Sequence, residues 1–224
     1  GSRHEGASGL SIPAGNPLQF AFALPITDGP RRPPETEPPT MPDLLFETPG
    51  NPLPANAVAD MLRMRDGKRL RYARFKAEGR PLKGTVVIVQ GRNECIEKYF
   101  ETIRDLSARG LGAATFDLRG QGGSDRLLRN PERGYVRDFR DYVDDIDTFF
   151  KEVVLPDCPG PYFVLAHSTG GLAALLAAPV LANRVQRMVL TSPLLGLPET
   201  RLSMENAFRL SSVLHALGLG WRYL

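Results

Sequence analysis

The sequence predicts an α/β protein with a mostly parallel sheet and helices on both faces. Residues Thr85–Gln90 form a continuous β-branched and apolar run, which is typical of a strand covered on both faces. Residues 162–176 pass from a short apolar stretch, through a small polar turn, into an Ala/Leu-rich helical stretch. Strand and helix patterns alternate throughout residues 85–191, and this order favours parallel strands joined by helices.

The elements follow from local patterns. Apolar and basic residues alternate on both sides of Asp66-Gly67, which predicts a β-hairpin whose basic residues face water. Asn93 is expected to cap the next helix and Gly110 to end it. A later helix is predicted by large apolar residues at helical spacing. That helix spans Phe139–Val153, and further strands are predicted over Leu111–Asp117, Tyr162–Ala166 and Gln186–Thr191.

Composition narrows the classes of function. The net charge of +3 gives no case for nucleic-acid binding. Cys95 and Cys158 match no metal or redox spacing, and the histidines are too scattered for a metal site, so a reducing compartment without a metal is expected. The charge-free stretch from Cys158 to Arg184 is broken by prolines, glycines and a polar turn, which argues against a membrane span. These features predict a cytoplasmic location.

Residues 1–55 read as a proline-rich lead-in. The first 54 residues contain 12 of the 20 prolines, and proline interrupts hydrogen-bonded ladders. An extended or disordered tail, or a strip along the domain surface, is therefore expected. A docking segment for a partner is the sharper alternative.

The turn in residues 162–176 has the pattern of a nucleophile elbow. Ser168 stands at its apex, where a strained backbone pushes the hydroxyl out of the sheet. Gly170 and Gly171 remove the Cβ atoms that would collide where strand and helix cross. Ala166 stands where the G-x-S-x-G pattern has its first glycine, and one added methyl group leaves the turn feasible. His167 is expected to pack under the elbow.

The loop at Gln90–Glu94 leaves the first central strand and turns into a helix. A serine hydrolase supplies one backbone N–H of its oxyanion hole from this position, and the other from the residue after the nucleophile. The candidate donors are therefore Arg92 and Thr169, with Gly91 forming the turn. A simple glycine turn is the alternative interpretation of this loop.

Four short motifs follow one another along the chain. They are Gly91-Arg92-Asn93-Glu94, Asp117-Leu118-Arg119-Gly120-Gln121-Gly122-Gly123-Ser124, Asp141-Tyr142-Val143-Asp144-Asp145 and Ala166-His167-Ser168-Thr169-Gly170-Gly171. In this order they resemble the bacterial lysophospholipases related to monoacylglycerol lipase, within the α/β-hydrolase superfamily, over about residues 56 to 224. The resemblance implies an α/β-hydrolase fold, a Ser-Asp-His triad with Ser168 as nucleophile, no cofactor, and hydrolysis of one fatty-acyl ester of a lysophospholipid or monoacylglycerol.

The same resemblance divides the chain. Residues 56–197 correspond to the N-terminal part of the hydrolase core, and residues 198–224 to the start of its cap. After Ser168 the sequence offers Glu199, Glu205 and His215 as triad candidates, and all three fall in the expected cap. We therefore expect a chain truncated within the cap region, with the triad Asp and His beyond Leu224 or on a second chain.

Two surfaces are candidates for substrate contact. Phe208 and Leu214 lie on the expected cap helix, which would form an acyl-binding wall and touch the surface of the inner membrane. Six arginines between residues 119 and 140 would grip a lysophospholipid phosphate or, as we favour for most of them, form surface ion pairs with nearby carboxylates. The carboxylates expected as partners are Asp125, Glu132, Asp138 and Asp141.

Two other functions stay open at this point. One is a non-catalytic, hydrolase-like module that binds a partner through the open edge of its last strand or through its lead-in. The other is a different carboxylesterase, or a peptidase, because an elbow and an oxyanion loop are shared by all of them.

Overall fold

The computed structural model describes residues 44–196 and 204–219. It begins with the predicted hairpin, in which β1 (Ala57–Arg63) pairs with β2 (Arg69–Phe75) in antiparallel register, Arg63 opposite Arg69. Gly67 in the connecting turn has a φ of +82°, a conformation that glycine adopts without strain.

The described strands form one six-stranded sheet in the order β1-β2-β4-β3-β5-β6. From β4 to β6 all neighbours run parallel, whereas the pairs β1–β2 and β2–β4 are antiparallel. The predicted mostly parallel sheet is thus confirmed. The remaining strands are β3 (Gly84–Val89), β4 (Leu111–Phe116), β5 (Tyr162–His167) and β6 (Val185–Thr191).

Helices cover both faces of this sheet. A 3₁₀ turn at Ile96–Tyr99 leads into α1 (Phe100–Ala108). The helix α2 (Phe139–Phe149) is capped by the Asp138 side chain and continues through a π turn (Phe150–Val154) into the single turn α3 (Leu155–Asp157). Two further helices are α4 (Ser168–Leu181) and α5 (Met204–Ala216).

The core lies in two layers, one on each face of β3. All six residues of β3 are buried, as the β-branched run predicts. On one face Phe116 and Phe149 pack with ring centroids 4.9 Å apart. On the other face Ile88 packs among residues of α1, including Phe100. A strand buried on both sides fixes the position of whatever follows it, and the loop after Val89 is one wall of the candidate site.

The end of the lead-in, which was expected as a solvated tail or as a strip along the domain surface, contacts this core. Leu44 and Leu45 are buried, and the Leu44 carbonyl oxygen accepts a hydrogen bond of 2.7 Å from the Arg71 guanidinium. The Asn51 side chain donates to the Glu97 carbonyl oxygen at 2.8 Å. Residues 44–51 are therefore held on the domain, whereas residues 1–43 lie outside the described range.

Arg71 contradicts the expectation that the basic residues of the hairpin face water. Its side chain is only 4% exposed, and its Nε lies 2.6 Å from Oδ2 of the fully buried Asp117. Its other nitrogens make a bidentate pair with Glu97 at 2.7 and 2.8 Å. Burial lowers the pKa of Arg71, but the charges of Asp117 and Glu97 outweigh burial and raise this pKa overall. The alternation of apolar and basic residues along β2 does not predict ion-pair partners that are distant in the sequence.

The helix cap predicted at Asn93 is also wrong. The 3₁₀ turn follows Cys95, which makes no side-chain cap, and the Ile96 N–H donates instead to Asp117 Oδ1 at 3.0 Å. Asn93 adopts a left-handed φ of +60° and turns the loop. Gly110, at φ +86°, follows α1 as predicted. The acceptor for this helix start thus comes from the end of β4.

In the described ranges, no helix is both long and apolar enough to cross a bilayer. The edge strands of the described sheet are β1 and β6, and Val189 on β6 is 57% exposed.

Candidate active site

Ser168 occupies the junction between β5 and α4. Its φ is +50°, in the left-handed region that a non-glycine residue rarely adopts. The residue is half-exposed at the carboxyl end of β5. In a mostly parallel sheet this edge is where ligands bind. The backbone therefore makes the sharp strand-to-helix turn that the elbow pattern predicts.

The two elbow glycines occupy places where a side chain would collide with neighbouring atoms. A Cβ on Gly170 would lie 2.2 Å from the Gln90 carbonyl oxygen. A Cβ on Gly171 would lie 2.9 Å from Cβ of Pro193. Ala166 is fully buried, so its methyl group is accommodated where the pattern has glycine. The start of α4 thus sits directly on the end of β3.

A second contact fastens the elbow from the side of β6. The Leu194 N–H donates to the Ser168 carbonyl oxygen at 3.0 Å. Pro193, its neighbour, packs against the Gly171 position. The turn that carries Ser168 is therefore held by β3 on one side and by the segment after β6 on the other.

The loop after β3 lies beside the elbow. Val89 is in register with Ala166, so the segments that follow them, which carry Arg92 and Ser168, leave the same edge of the sheet. A Cβ on Gly91 would lie 3.1 Å from Cδ2 of His167. Thr169 is buried as the second residue of α4, and Arg92 is half-exposed in the loop. The structure thus brings both candidate oxyanion segments to one place.

Glu94 is the residue of this loop that sequence reasoning missed. It is buried, and its Oε2 accepts hydrogen bonds from the Gly91 N–H at 2.6 Å and the Tyr99 hydroxyl at 2.7 Å. Its Oε1 accepts from Lys98 Nζ at 2.7 Å. Burial raises the pKa of Glu94, but these hydrogen bonds outweigh it and hold the pKa below its ordinary value. A carboxylate three residues after a loop glycine was the available signal.

His167 does not pack under the elbow, as had been expected. Its side chain is 40% exposed, and Nδ1 lies 3.1 Å from both the carbonyl oxygen and the hydroxyl of Thr191. A carbonyl oxygen only accepts, so the N–H on Nδ1 donates to it. The opposite ring nitrogen, Nε2, lies 3.9 Å from Glu94 Oε1. The imidazole therefore bridges the end of β6 and the loop after β3.

Arg119 is a buried ion-pair residue, which corrects its assignment to surface pairs or a phosphate grip. It is 5% exposed and makes a bidentate pair with Asp145 at 2.7 and 2.6 Å. Asp66 and Asp141 lie 2.9 and 3.6 Å from its Nη1. Burial raises the pKa of Asp145 to about 6, against the lowering by Arg119. Because three carboxylates surround this guanidinium, we assign Arg119 a structural role in ion pairs within the domain.

The predicted acyl-binding wall lies on α5. Phe208 is 46% exposed and Leu214 is half-buried, both within the helix that sequence patterns placed there. The His215 side chain is outside the described atoms, as are residues 197–203 and 220–224. A cavity of about 200 Å³ is found instead at the opposite end of the sheet, lined by Phe75 and Cys158 among others, and contains none of the predicted site residues.

A serine in a strained strand-to-helix turn, at the carboxyl edge of such a sheet, defines an α/β hydrolase. Solved structures agree on the fold. The chain matches DcsB in complex with its substrate analogue (TM-score 0.58, 18% identity, 75% of this chain and 55% of that chain). It also matches a soluble variant of monoglyceride lipase from Saccharomyces cerevisiae in complex with a substrate analog, with a TM-score of 0.52 and 22% identity. That match covers 71% of this chain and 52% of the lipase chain. The predicted fold class is confirmed.

Within that class, the chain belongs to the family described as serine aminopeptidase, S33, which matches residues 80–220. Lysophospholipase L2 of Escherichia coli (strain K12) is 38% identical over 131 residues, 57% of this chain and 37% of that protein. Probable lysophospholipase L2 of Haemophilus influenzae is 31% identical over 167 residues (70% and 50%). Human monoglyceride lipase is 34% identical over 161 residues (69% and 50%). The resemblance to this group is confirmed, and the chain spans half or less of these relatives.

Proposed function

We propose that this chain carries the nucleophile of a serine hydrolase that cleaves the acyl ester of lysophospholipids or monoacylglycerols. The observation that supports this most is the left-handed φ of +50° at Ser168, at the junction of β5 and α4. Such a conformation costs on the order of 1–3 kcal/mol at a non-glycine residue and is concentrated at functional sites. The names of the relatives supply the substrate class.

In the proposed reaction the Ser168 hydroxyl attacks the acyl carbonyl carbon while a general base takes its proton. The carbonyl oxygen becomes an oxyanion and accepts hydrogen bonds from the backbone N–H groups of Arg92 and Thr169, each worth roughly 3 kcal/mol in the transition state. The bond to the glycerol oxygen breaks, and the alcohol leaves with the proton. Water then attacks the acyl-enzyme, which releases the fatty acid and restores Ser168.

The base in such a reaction is ordinarily a histidine oriented by a carboxylate. His215 is the one histidine after Ser168 in the sequence, and it belongs to the proposed acyl-binding helix α5. We propose that the histidine and its carboxylate partner lie outside residues 1–224, in the same protein or in a partner chain. Exposed apolar residues of α5, such as Phe208 and Val213, would then face the acyl chain or a membrane surface.

Labelling of the full-length protein with a fluorophosphonate probe tests directly whether Ser168 is the nucleophile. Ser168→Ala should abolish labelling and ester hydrolysis. Ser192→Ala is the matched control, because Ser192 is also a left-handed serine, at φ +45°, and is exposed after β6. Labelling that survives in Ser168→Ala would remove the proposal.

The family description favours a second candidate, an aminopeptidase. Rates on lysophosphatidylcholine and monoacylglycerol, compared with short p-nitrophenyl esters and aminoacyl amides, separate the two. Faster turnover of the lipid esters supports our proposal, whereas faster turnover of the amides supports the peptidase. A correctly folded protein that the fluorophosphonate probe does not label would support the non-catalytic alternative. For that alternative, β6 offers an open edge in the described sheet.

A further inference from the structure

We propose that Glu94 is a positioning residue that holds the oxyanion loop in place against the nucleophile elbow. This inference rests on the proposed function, because it assigns a role to a residue that does not itself touch the substrate. It concerns the geometry of the Arg92 amide relative to Ser168.

The first support is the way the loop closes on itself. Glu94 Oε2 accepts from the Gly91 N–H at 2.6 Å, so the carboxylate reaches back three residues and closes the chain around Arg92. On the other side of Arg92, the Asn93 N–H donates to the buried side-chain oxygen of Gln121. The amides before and after Arg92 are both tied to buried acceptors. The Arg92 peptide is thereby fixed between two anchored neighbours.

The second support is the contact between Glu94 and the elbow. His167 is bonded directly to Ser168, and its Nε2 lies 3.9 Å from Glu94 Oε1. A Cβ on Gly91 would lie 2.9 Å from Glu94 Oε2 and 3.1 Å from His167 Cδ2, so the three residues lie close together. One carboxylate thus belongs to one wall of the proposed site and lies 3.9 Å from the other.

The third support is that a carboxylate suits this place better than a neutral group. Glu94 is 8% exposed and gathers donors from Gly91, Lys98 and Tyr99 on its two oxygens. Charge-assisted hydrogen bonds are shorter and about twice as strong as neutral ones. Preorganised donors stabilise a transition state because no reorganisation is needed when charge develops. Outer-shell partners commonly supply that preorganisation.

A purely structural role for Glu94, as an anchor for the start of the 3₁₀ turn, predicts a different outcome. If Glu94 is only a structural anchor, its replacement should lower the melting temperature and leave the kcat of the folded fraction unchanged. A positioning residue lost should lower kcat and leave KM unchanged, because an oxyanion contact is made only in the transition state.

The test compares four variants of the gene-encoded protein on a monoacylglycerol and a p-nitrophenyl ester. Removing a whole oxyanion donor costs about 100- to 1000-fold in kcat. Glu94→Ala, which displaces a donor without removing it, should therefore cost about 10- to 100-fold, and the isosteric Glu94→Gln about 3- to 10-fold. Lys98→Met and Tyr99→Phe each remove one contact to the carboxylate and spare the Gly91 hydrogen bond, so both should stay within about threefold.

Binding of a transition-state analogue gives an independent readout. The inhibition constant of a trifluoromethyl ketone should rise in parallel with the loss of kcat in the Glu94 variants, whereas that of the fatty-acid product should not change. The idea is overturned by folded Glu94→Ala and Glu94→Gln proteins with unchanged kcat, or by losses as large in Lys98→Met. A Ser168→Ala variant with full activity would instead remove the proposed function itself, so the two failures are distinguishable.

Discussion

Replacing Arg71 with methionine removes the cation of a buried three-charge cluster while keeping similar side-chain length. Asp117 is fully buried, and its remaining donors would be the N–H groups of Ile96 and Gly123, at 3.0 and 2.6 Å. The carboxylate of Glu97 would stay nearby without its bidentate partner. Such an uncompensated buried charge costs about 3–5 kcal/mol.

The pH dependence of this loss has a definite sign. Burial already raises the pKa of Asp117, against the lowering by Arg71. Without the cation the folded-state pKa rises further above the unfolded value, so the variant binds a proton on folding. The stability gained from that proton is present at low pH and is lost as the pH rises through the folded pKa. The variant should therefore lose less free energy of unfolding at pH 5 than at pH 8.

Urea unfolding followed by circular dichroism at both pH values provides the assay. At an m value of roughly 2 kcal/mol/M, the expected loss moves the midpoint by about 2 M. Arg69→Met is the matched control on the same strand: its side chain is 53% exposed and pairs with Asp125 at 3.3 Å, so about 0–1 kcal/mol is expected. A loss at Arg71 no larger than at Arg69, or equal losses at the two pH values, would refute the reasoning.

Three further outcomes are expected. Gly170→Ala should lower the melting temperature or abolish folding, because its Cβ meets backbone at 2.2 Å. Gly196→Ala should change little, because beyond its chain neighbours no atom of the described residues lies within 4 Å of the added Cβ, and equal effects would contradict this packing. The advantage of the wild type over Glu94→Gln in free energy of unfolding should shrink as the pH falls from about 5 through the lowered folded-state pKa of Glu94, because hydrogen bonds hold that pKa below its ordinary value despite burial; a constant difference over this range argues against it. Burial raises the pKa of Cys95 and Cys158 to about 11, so iodoacetamide at pH 8 should alkylate both about 100-fold more slowly than free cysteine, and comparable rates would exclude the shift.

The parts of the fold that the sequence predicts are those with local causes. The β-branched run of β3, the glycine turn of the hairpin and the small residues around Ser168 each act over a few neighbouring positions. Their strand and helix assignments hold to within a few residues. The parallel order of the sheet followed because strand and helix patterns alternate.

The parts that could not be predicted depend on partners distant in the chain. In the sequence Arg71 has the pattern of a water-facing hairpin residue, but in the structure it pairs with Asp117, 46 residues later. Arg119 finds Asp145, 26 residues later, and not only the neighbours expected for it. The hydrogen bond between Glu94 and Gly91 is local, yet the sequence alone does not tell an inward carboxylate from a solvated one.

The contacts of Leu194 with Ser168 and of Pro193 with Gly171 have a practical consequence. The segment that leaves β6 lies directly against the turn that carries Ser168, so a displacement of this segment is expected to move the backbone of the proposed nucleophile. Loop grafts or protease sites introduced at residues 193–194 should therefore disturb Ser168, although 25 or more positions separate them. Grafts on the hairpin turn at Gly67 would not act through Pro193 or Leu194, and they make the better attachment point for tags or tethers if they spare the contact of Asp66 with Arg119.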